Sequence, residues 1–505
     1  MSLSRLTGLV LVAAVLAACA EETRTGPGPI NAGTTGITAV TNRYARPNGI
    51  ASGAGDINNP WSLGWALSSS NTTLQPGDTV WLLPGTYGDS TFTATKGGTS
   101  ASPIVYRQHS SGRATINGRL KVSTSSHDLT FWGFEVTQFN PAAHPDWYGI
   151  ESYAPGIKYI NLVIHDVNRS GLIINWPAGS TEVYGSIMYN NGTILNNDHG
   201  IYVEGNNGTQ LVEQSVFFNN LGYGVHGYGR PVDPVLSGIH ILDNVSFNNG
   251  TICSGCWYHA RGNILVGSER DGDTDIVIRE NHVYHTNTDE GTGIEAGYLA
   301  NGSDVTVDFN RIFGGSVGLK VMSWNTGTVK ENQIGGAGPY AVWLEDGSPS
   351  YDWHGQDLFH TATPTGWYWS GSGNLGFDAW RDATTLGKDP IPDVIFGPTG
   401  DWWSTYYFAF PANKYEHGRG MIVVWNESGS SSINVSLSNY LNSGEPYKIY
   451  NVFNLTTPVA TGTYAGGTVS IPLNAMAPPV PVSRNNVGPG AQTGTFFFTF
   501  IVTKG

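Results

Sequence analysis

From Gly149 onward one short cassette keeps returning: a small residue, an apolar residue, a variable residue, then a small or apolar one. The copies are Gly149-Ile150-Glu151-Ser152, Gly171-Leu172-Ile173-Ile174, Gly200-Ile201-Tyr202-Val203, Gly224-Val225-His226-Gly227, Asn263-Ile264-Leu265-Val266, Gly293-Ile294-Glu295-Ala296, Gly318-Leu319-Lys320-Val321 and Ala341-Val342-Trp343-Leu344. Their first apolar positions are 22, 29, 24, 39, 30, 25 and 23 residues apart. Self-similarity at a spacing of about 20–50 residues marks a chain built by stacking one small unit on the next. Between copies runs a second cassette, in which alternating apolar residues lead to asparagine. Examples are Ile239-His240-Ile241 before Asn244, Ile276-Val277-Ile278 before Asn281, Val305-Thr306-Val307 before Asn310, and Val329 before Asn332. Alternation with period two places one side of each segment inward, as strands do. Asparagines recurring at one turn can bond from coil to coil and satisfy backbone groups that a buried turn would orphan. The pattern predicts an all-β chain whose short strands wind into a parallel β-helix, with coils at ~4.8 Å. Stacked sandwiches would instead show hairpin signals between neighbouring strands and no steady period.

Composition agrees. The 505 residues include 67 Gly and 27 Pro, only 13% are charged, and 12% are aromatic. So few charges exclude a coiled coil, and the aromatics exclude wholesale disorder. The net charge of −14, from 25 Lys and Arg against 39 Asp and Glu, argues against a nucleic-acid partner. The same acidity disfavours a polyanionic substrate unless arginines or calcium compensate locally.

The segment Leu74-Gln75-Pro76-Gly77-Asp78-Thr79-Val80-Trp81-Leu82-Leu83-Pro84-Gly85-Thr86-Tyr87 resembles the first coil of the right-handed parallel β-helix, pectin-lyase-like superfamily. Asn197-Asp198-His199-Gly200-Ile201-Tyr202-Val203 resembles a recurrent coil of the same group, and the resemblance covers residues 40–395. It implies a right-handed parallel β-helix and a polysaccharide partner, since members are mostly polysaccharide lyases, hydrolases and epimerases. No catalytic motif of pectate lyases, polygalacturonases or chondroitinase-type lyases is matched residue by residue. Beyond the repeat, Met421–Trp425, Ile433–Leu441, Tyr447–Phe453, Thr468–Leu473 and Phe496–Thr503 read as short strands between Gly, Ser, Asn and Pro. They predict a small C-terminal antiparallel β-sandwich, expected to cover the open end of the helix or to serve as a carbohydrate-binding module. The expected organisation is a signal peptide at 1–18, a tether at 19–38, the β-helix at 39–400 and the sandwich at 401–505.

Arg5 followed by the apolar run Leu9–Leu16 has the make-up of a secretory signal and is too short to span a bilayer. Leu16-Ala17-Ala18-Cys19 resembles a bacterial lipoprotein cleavage box, which implies lipidation of Cys19; with Ala20 and Glu21 following, the resemblance points to the outer membrane. The alternative is a plain signal peptide with a chance cysteine. The expectation is an exported monomer that meets the membrane only through its lipid. In an exported chain Cys253 and Cys256 form a local disulfide or remain two free thiols. A zinc site would need further ligands, of which His259 is one, and a haem attachment would need His where Trp257 stands.

The repeat also supplies a register. With the first apolar residue of each cassette inward, the next points outward, giving the column Glu151, Ile173, Tyr202, His226, Leu265, Glu295, Lys320, Trp343. A second column, two residues on, is Tyr153, Asn175, Glu204, Tyr228, Gly267, Gly297, Met322, Glu345. Tyr, His, Glu and Trp on the middle coils suit a sugar groove, where rings stack on pyranose faces and polar groups orient them. The densest patch is His199, Tyr202 and Glu204 on one coil with His226 and Tyr228 on the next. A His–Tyr pair moves protons near neutral pH. On a uronate, one of them abstracts the proton beside the carboxylate and the other protonates the leaving oxygen; alternatively the histidines only bond turns. Lys320 either pairs with Glu295 or holds a substrate carboxylate. Glu151 and Glu295 lie five coils apart, ~24 Å at strand spacing, whereas a hydrolase pair needs ~5–10 Å. Asp198 with Glu204 keeps hydrolysis open. The long step from Val225 to Ile264 predicts an insertion overhanging the groove, carrying Trp257, Tyr258, His259 and Arg261, with Arg261 and Arg270 the nearest cations. Asp271, Asp273 and Asp275 alternate in a turn able to ligate Ca²⁺ or to stay solvated. The expected function is cleavage of a uronate-containing polysaccharide by β-elimination. Glycoside hydrolysis in the same groove and a non-catalytic carbohydrate-binding surface protein are the alternatives.

Overall fold

The computed structural model describes residues 41–194, 197–252, 262–286, 290–336, 338–345, 350–355, 357–359, 366–386, 394–396, 404–484 and 486–505. Nearly all of its strands up to Val394–Phe396 pair in parallel with the coil before and the coil after, which makes a parallel β-helix. Three stacks form its faces. The back stack is a 12-stranded sheet running from Asn42–Ala45 to Tyr351–His354. The flank stack runs from Glu135–Thr137 through Ile187–Tyr189, Val216–Phe218 and Gln333–Gly335 to Val394–Phe396. The front stack runs from Gly85–Ala94 and Ala114–Val122 through Ile150–Ser152, Ile201–Val203 and Val225–Gly229 to Tyr340–Leu344 and Trp367–Trp369.

The front stack follows the cassettes residue for residue. Leu172 lies opposite Ile201, Ile201 opposite Val225, Val225 opposite Ile264, Ile264 opposite Ile294, Ile294 opposite Leu319, and Leu319 opposite Val342. All of these side chains are buried in one apolar core. The glycine that opens many copies is fixed by close approach of the next coil. A Cβ on Gly200 would stand 2.6 Å from the Gly224 carbonyl oxygen and 2.8 Å from Asn220 Nδ2.

Two buried asparagine ladders tie the coils together. One joins Asn244, Asn281, Asn310 and Asn332, as the sequence predicts, through Nδ2 to Oδ1 bonds of 3.1, 2.9 and 2.9 Å. The other joins Asn191, Asn220, Asn249 and Asn263 at 2.9 Å each. Its trace in the sequence is the doublets Asn190-Asn191, Asn219-Asn220 and Asn248-Asn249. The first residue of each doublet turns the chain at positive φ (53°, 50° and 51°), and the second enters the ladder.

The C-terminal strands form a five-stranded antiparallel sheet and a two-stranded one, with Ile422, Val424, Val435, Ile471, Phe498 and Phe500 between them. This sandwich lies along the flank stack, not over the open end. Met421, Val423, Trp425 and Phe497 pack on Ile187, Val216, Phe218, Val245 and Phe247, which point out of the flank. A flank so apolar would otherwise be a large exposed hydrophobic patch, so the sandwich has more surface to bury there than at an end. Strand Gly420–Asn426 is therefore buried on both faces, which explains its unbroken apolar run. At the last coils Trp380, from helix Phe377–Thr384, packs on Trp353 with ring centroids 5.5 Å apart.

The long step from Val225 to Ile264 contains two regular strands, Ser237–Leu242 and Val245–Phe247. Its extra length falls between Phe247 and Ile264, and residues 253–261 there lie outside the described residues.

At the start of the flank stack His165 bridges Asp166 (2.8 Å) and Glu135 (3.0 Å) and stacks on Tyr189. Burial lowers its pKa, but the hydrogen bonds and charges of the two carboxylates outweigh that and hold it at about 9. A raised imidazole gives stability that is complete below its unfolded pKa and lost as pH rises through the folded value. Stability is therefore expected to fall by a few kcal/mol as pH rises from about 6.5 through about 9. His165→Gln should flatten that slope in urea melts; an unchanged slope would assign the alkaline loss elsewhere.

Candidate functional site

The outward column of the front stack is the one the register predicts. Glu151 is followed opposite by Ile173, Tyr202, His226, Leu265, Glu295, Lys320 and Trp343. In the middle of it opens a cleft of about 570 Å³. Four of the predicted residues, Tyr202, Glu204, His226 and Tyr228, line it together with Tyr148, Arg169, Tyr223, Arg230 and Tyr298.

His199 belongs to this group but not to the surface, because the turn before Ile201–Val203 carries it inward and buries it completely. The backbone N–H of Tyr223 donates to His199 Nδ1 (3.1 Å), so a neutral His199 bears its hydrogen on Nε2. That nitrogen lies 2.8 Å from His226 Nδ1, and the bond places the hydrogen of a neutral His226 on its own Nε2, across the ring. In this wiring His226 is a hydrogen-bond donor and not a base. His199 acts as its positioning residue.

Glu204 is the carboxyl of the cleft. Burial raises its pKa, and the nearby charge of Asp233 adds to the rise, against the opposing effects of the Trp176 N–H (3.2 Å) and Arg230. The phenols of Tyr148, Tyr202 and Tyr228 are likewise raised, first by burial, and so stay protonated. Tyr202 donates to the Tyr228 carbonyl oxygen (3.0 Å), and Tyr228 donates to Glu269. Among the described residues the two cations of the cleft wall are each braced by an aspartate. Arg169 donates to Asp198 (2.6 Å), and Arg230 forms a two-pronged pair with Asp233 (2.7 and 2.9 Å).

Other predicted residues have partners elsewhere. Asp198 is fully buried and accepts from Thr193 N (2.9 Å) and Ile194 N (2.6 Å) as well as Arg169, so it is no second carboxylate beside Glu204. Lys320 lies three coils from His226 and pairs with Glu295 (3.0 Å), whose other oxygen is 3.4 Å from the Tyr223 hydroxyl. Glu151 pairs with Arg119 (2.9 Å). Trp343 donates to Glu345 and stacks on Tyr368 at 4.0 Å. Arg270 donates to the Asp233 carbonyl (2.9 Å) and braces the Arg230 loop; Arg169 and Arg230 take the place in the cleft expected for Arg270. The aspartates split up. Asp271 accepts from Asn301 N (2.7 Å), Asp273 is buried and accepts from Leu236 N (2.9 Å), and Asp275 meets His240 (2.9 Å). Among the described residues no three His, Cys, Asp or Glu side chains gather as a metal would need. Trp257, Tyr258, His259, Arg261, Cys253, Cys256 and Cys19 lie outside the described residues.

Tyr148 and Tyr223 are absent from the predicted columns, although the sequence carries their signal. They precede the cassette glycines, as do Ser170 and His199. That position also stacks, since Gly149 N donates to Ser170 O, Gly171 N to His199 O and Gly200 N to Tyr223 O.

No family model matches this chain, and no curated protein does. Among solved structures it is similar to pectate lyase Pel9A, at 18% identity and a TM-score of 0.41, over 67% of this chain and 82% of that one. It is similar to the GH136 lacto-N-biosidase from Eubacterium ramulus at 12% identity and a TM-score of 0.39, over 71% and 67% of the two chains. It is also similar to XylC, solved in complex with xylose, at 10% identity and a TM-score of 0.44, over 91% and 100%.

Proposed function

We propose that the front cleft is the active site of a polysaccharide-degrading enzyme that cleaves a uronate-containing glycan by β-elimination. The observation that carries this reading is the meeting, in one cleft, of a carboxyl with a raised pKa, a histidine wired as a donor, protonated phenols and two arginines. Arg169 and Arg230 offset the substrate carboxylate. Glu204 removes the proton from the carbon beside that carboxylate, and a base with its pKa raised toward neutrality suits the task. His226 Nε2–H donates to the carboxylate as negative charge builds there. The electron pair of the broken C–H bond forms the new C=C bond as the glycosidic C–O bond breaks. A cleft phenol, Tyr228, supplies the proton to the leaving oxygen.

Incubation with a polysaccharide panel tests this, reading ultraviolet absorbance of unsaturated products and reducing ends together. Both signals are expected to rise. Reducing ends alone would transfer the function to hydrolysis with Glu204 as general acid, a role its raised pKa also fits. Binding with neither signal would leave a carbohydrate-binding protein. We further propose that the protein is exported and anchored through lipidated Cys19. Cys19→Ser should move it from the membrane to the soluble fraction, and unaltered fractionation would reject the anchor.

A further inference from the structure

The front column continues past the cleft toward the N-terminal coils. Ile173, at the cleft edge, lies opposite Glu151, and Glu151 lies opposite Lys121. Two coil steps, ~10 Å, separate Lys121 from Ile173, roughly the length of two sugar rings. Lys121 Nζ sits over the Tyr153 ring, 5.2 Å from its centroid, and is in no ion pair among the described residues. The Tyr153 hydroxyl donates to Glu151 (3.2 Å), which holds the ring in place. Arg119 is bound to the same carboxylate. Two cations here stand against one carboxylate. On the other side of the cleft the balance reverses, with Lys320 alone between Glu295 (3.0 Å) and Glu345 (3.9 Å).

We propose that Lys121 and Tyr153 form a distal subsite for a uronate ring, the lysine taking the carboxylate and the tyrosine the ring face. The glycan then lies along the coils from the cleft toward Lys121, and the substrate is an acidic polymer. The inference rests on the proposed function and adds direction and length. A polyanion is drawn toward the end with surplus positive charge and repelled from the Glu295–Glu345 end. An aromatic face beside a cation suits a charged sugar, since the ring packs against pyranose C–H groups while the ammonium meets the carboxylate.

The test compares wild type with Lys121→Gln and Lys121→Arg on alginate and polygalacturonate, each as polymer and as size-fractionated trimer. For the polymer that wild type cleaves, Lys121→Gln should raise KM about 5–10-fold with kcat unchanged, as expected when binding common to ground and transition states is lost. Trimer kinetics should not move, Lys121→Arg should restore the polymer KM, and the difference should shrink in high salt. Unchanged polymer KM in Lys121→Gln would overturn the subsite while leaving the active site standing. Equal losses on polymer and trimer would also overturn it. If wild type neither cleaves nor is retarded by either polymer in affinity electrophoresis, the functional reading and the subsite fail together.

Discussion

Glu204→Gln is expected to lower turnover about 10²–10⁴-fold, the usual worth of a positioned proton-transfer group, without loss of stability. The carboxyl is buried, and desolvation raises its pKa. A carboxyl whose folded pKa lies above its unfolded value is destabilising when ionised, so the wild type carries that cost above the raised pKa and sheds it as pH falls. Glutamine keeps an oxygen for the Trp176 N–H and removes the charge. Melting temperature near neutral pH should therefore hold or rise while activity falls. In the wild type, kcat/KM should drop on the acid side at a pH above the ordinary glutamate range, because a base must be ionised. Activity within a few-fold of wild type would remove Glu204 from the mechanism. Loss of activity together with a lower melting temperature would make its role structural.

The largest stability effect is expected at Asn281. It is fully buried, and its Nδ2 donates to Ile241 O (2.9 Å) and Asn310 Oδ1 (2.9 Å). Its Oδ1 accepts from Asn244 N (3.0 Å) and Asn244 Nδ2 (3.1 Å). Asn281→Leu keeps the branched shape but strands the Asn244 donors and the Ile241 carbonyl where water does not reach. Each stranded group costs about 1–3 kcal/mol, and the ladder shares the damage among coupled neighbours, so a total of about 3–6 kcal/mol is expected. The urea midpoint of far-ultraviolet circular dichroism measures it. A loss under about 1 kcal/mol would mean that strand pairing and the apolar core hold the coils without the ladder.

The repeat made the front stack legible in advance because a coil leaves little freedom. Once Ile201 and Val225 point inward, Tyr202 and His226 must be neighbours on the outside. The same rule brought Tyr202, Glu204, His226 and Tyr228 into one cleft. What periodicity could not show was which partner each group takes. Asp198 reads as a second acid until Arg169 and two backbone N–H groups are seen to hold it. For Lys320 the column left two roles open, a pair with Glu295 or a hold on a substrate carboxylate, and the structure shows it between Glu295 and Glu345. Arg169 comes from one coil's turn and Arg230 from the loop after Val225–Gly229, so no local pattern joins them. The sandwich strands were legible as short apolar runs between Gly, Ser, Asn and Pro, yet their place on the flank depended on which outward face of the helix was apolar.

The sequence by itself determined the β-helix, its register, the inward apolar column and one asparagine ladder, because these follow from a period that each coil repeats. Only the tertiary structure decided the state of the site. It buried His199 behind His226, fixed which nitrogen of each ring carries hydrogen, set the Glu204 carboxyl in a desolvated wall and seated the sandwich along the flank. Those outcomes depend on hydrogen-bond donors, burial and charges supplied by other coils, and no spacing along one chain contains them.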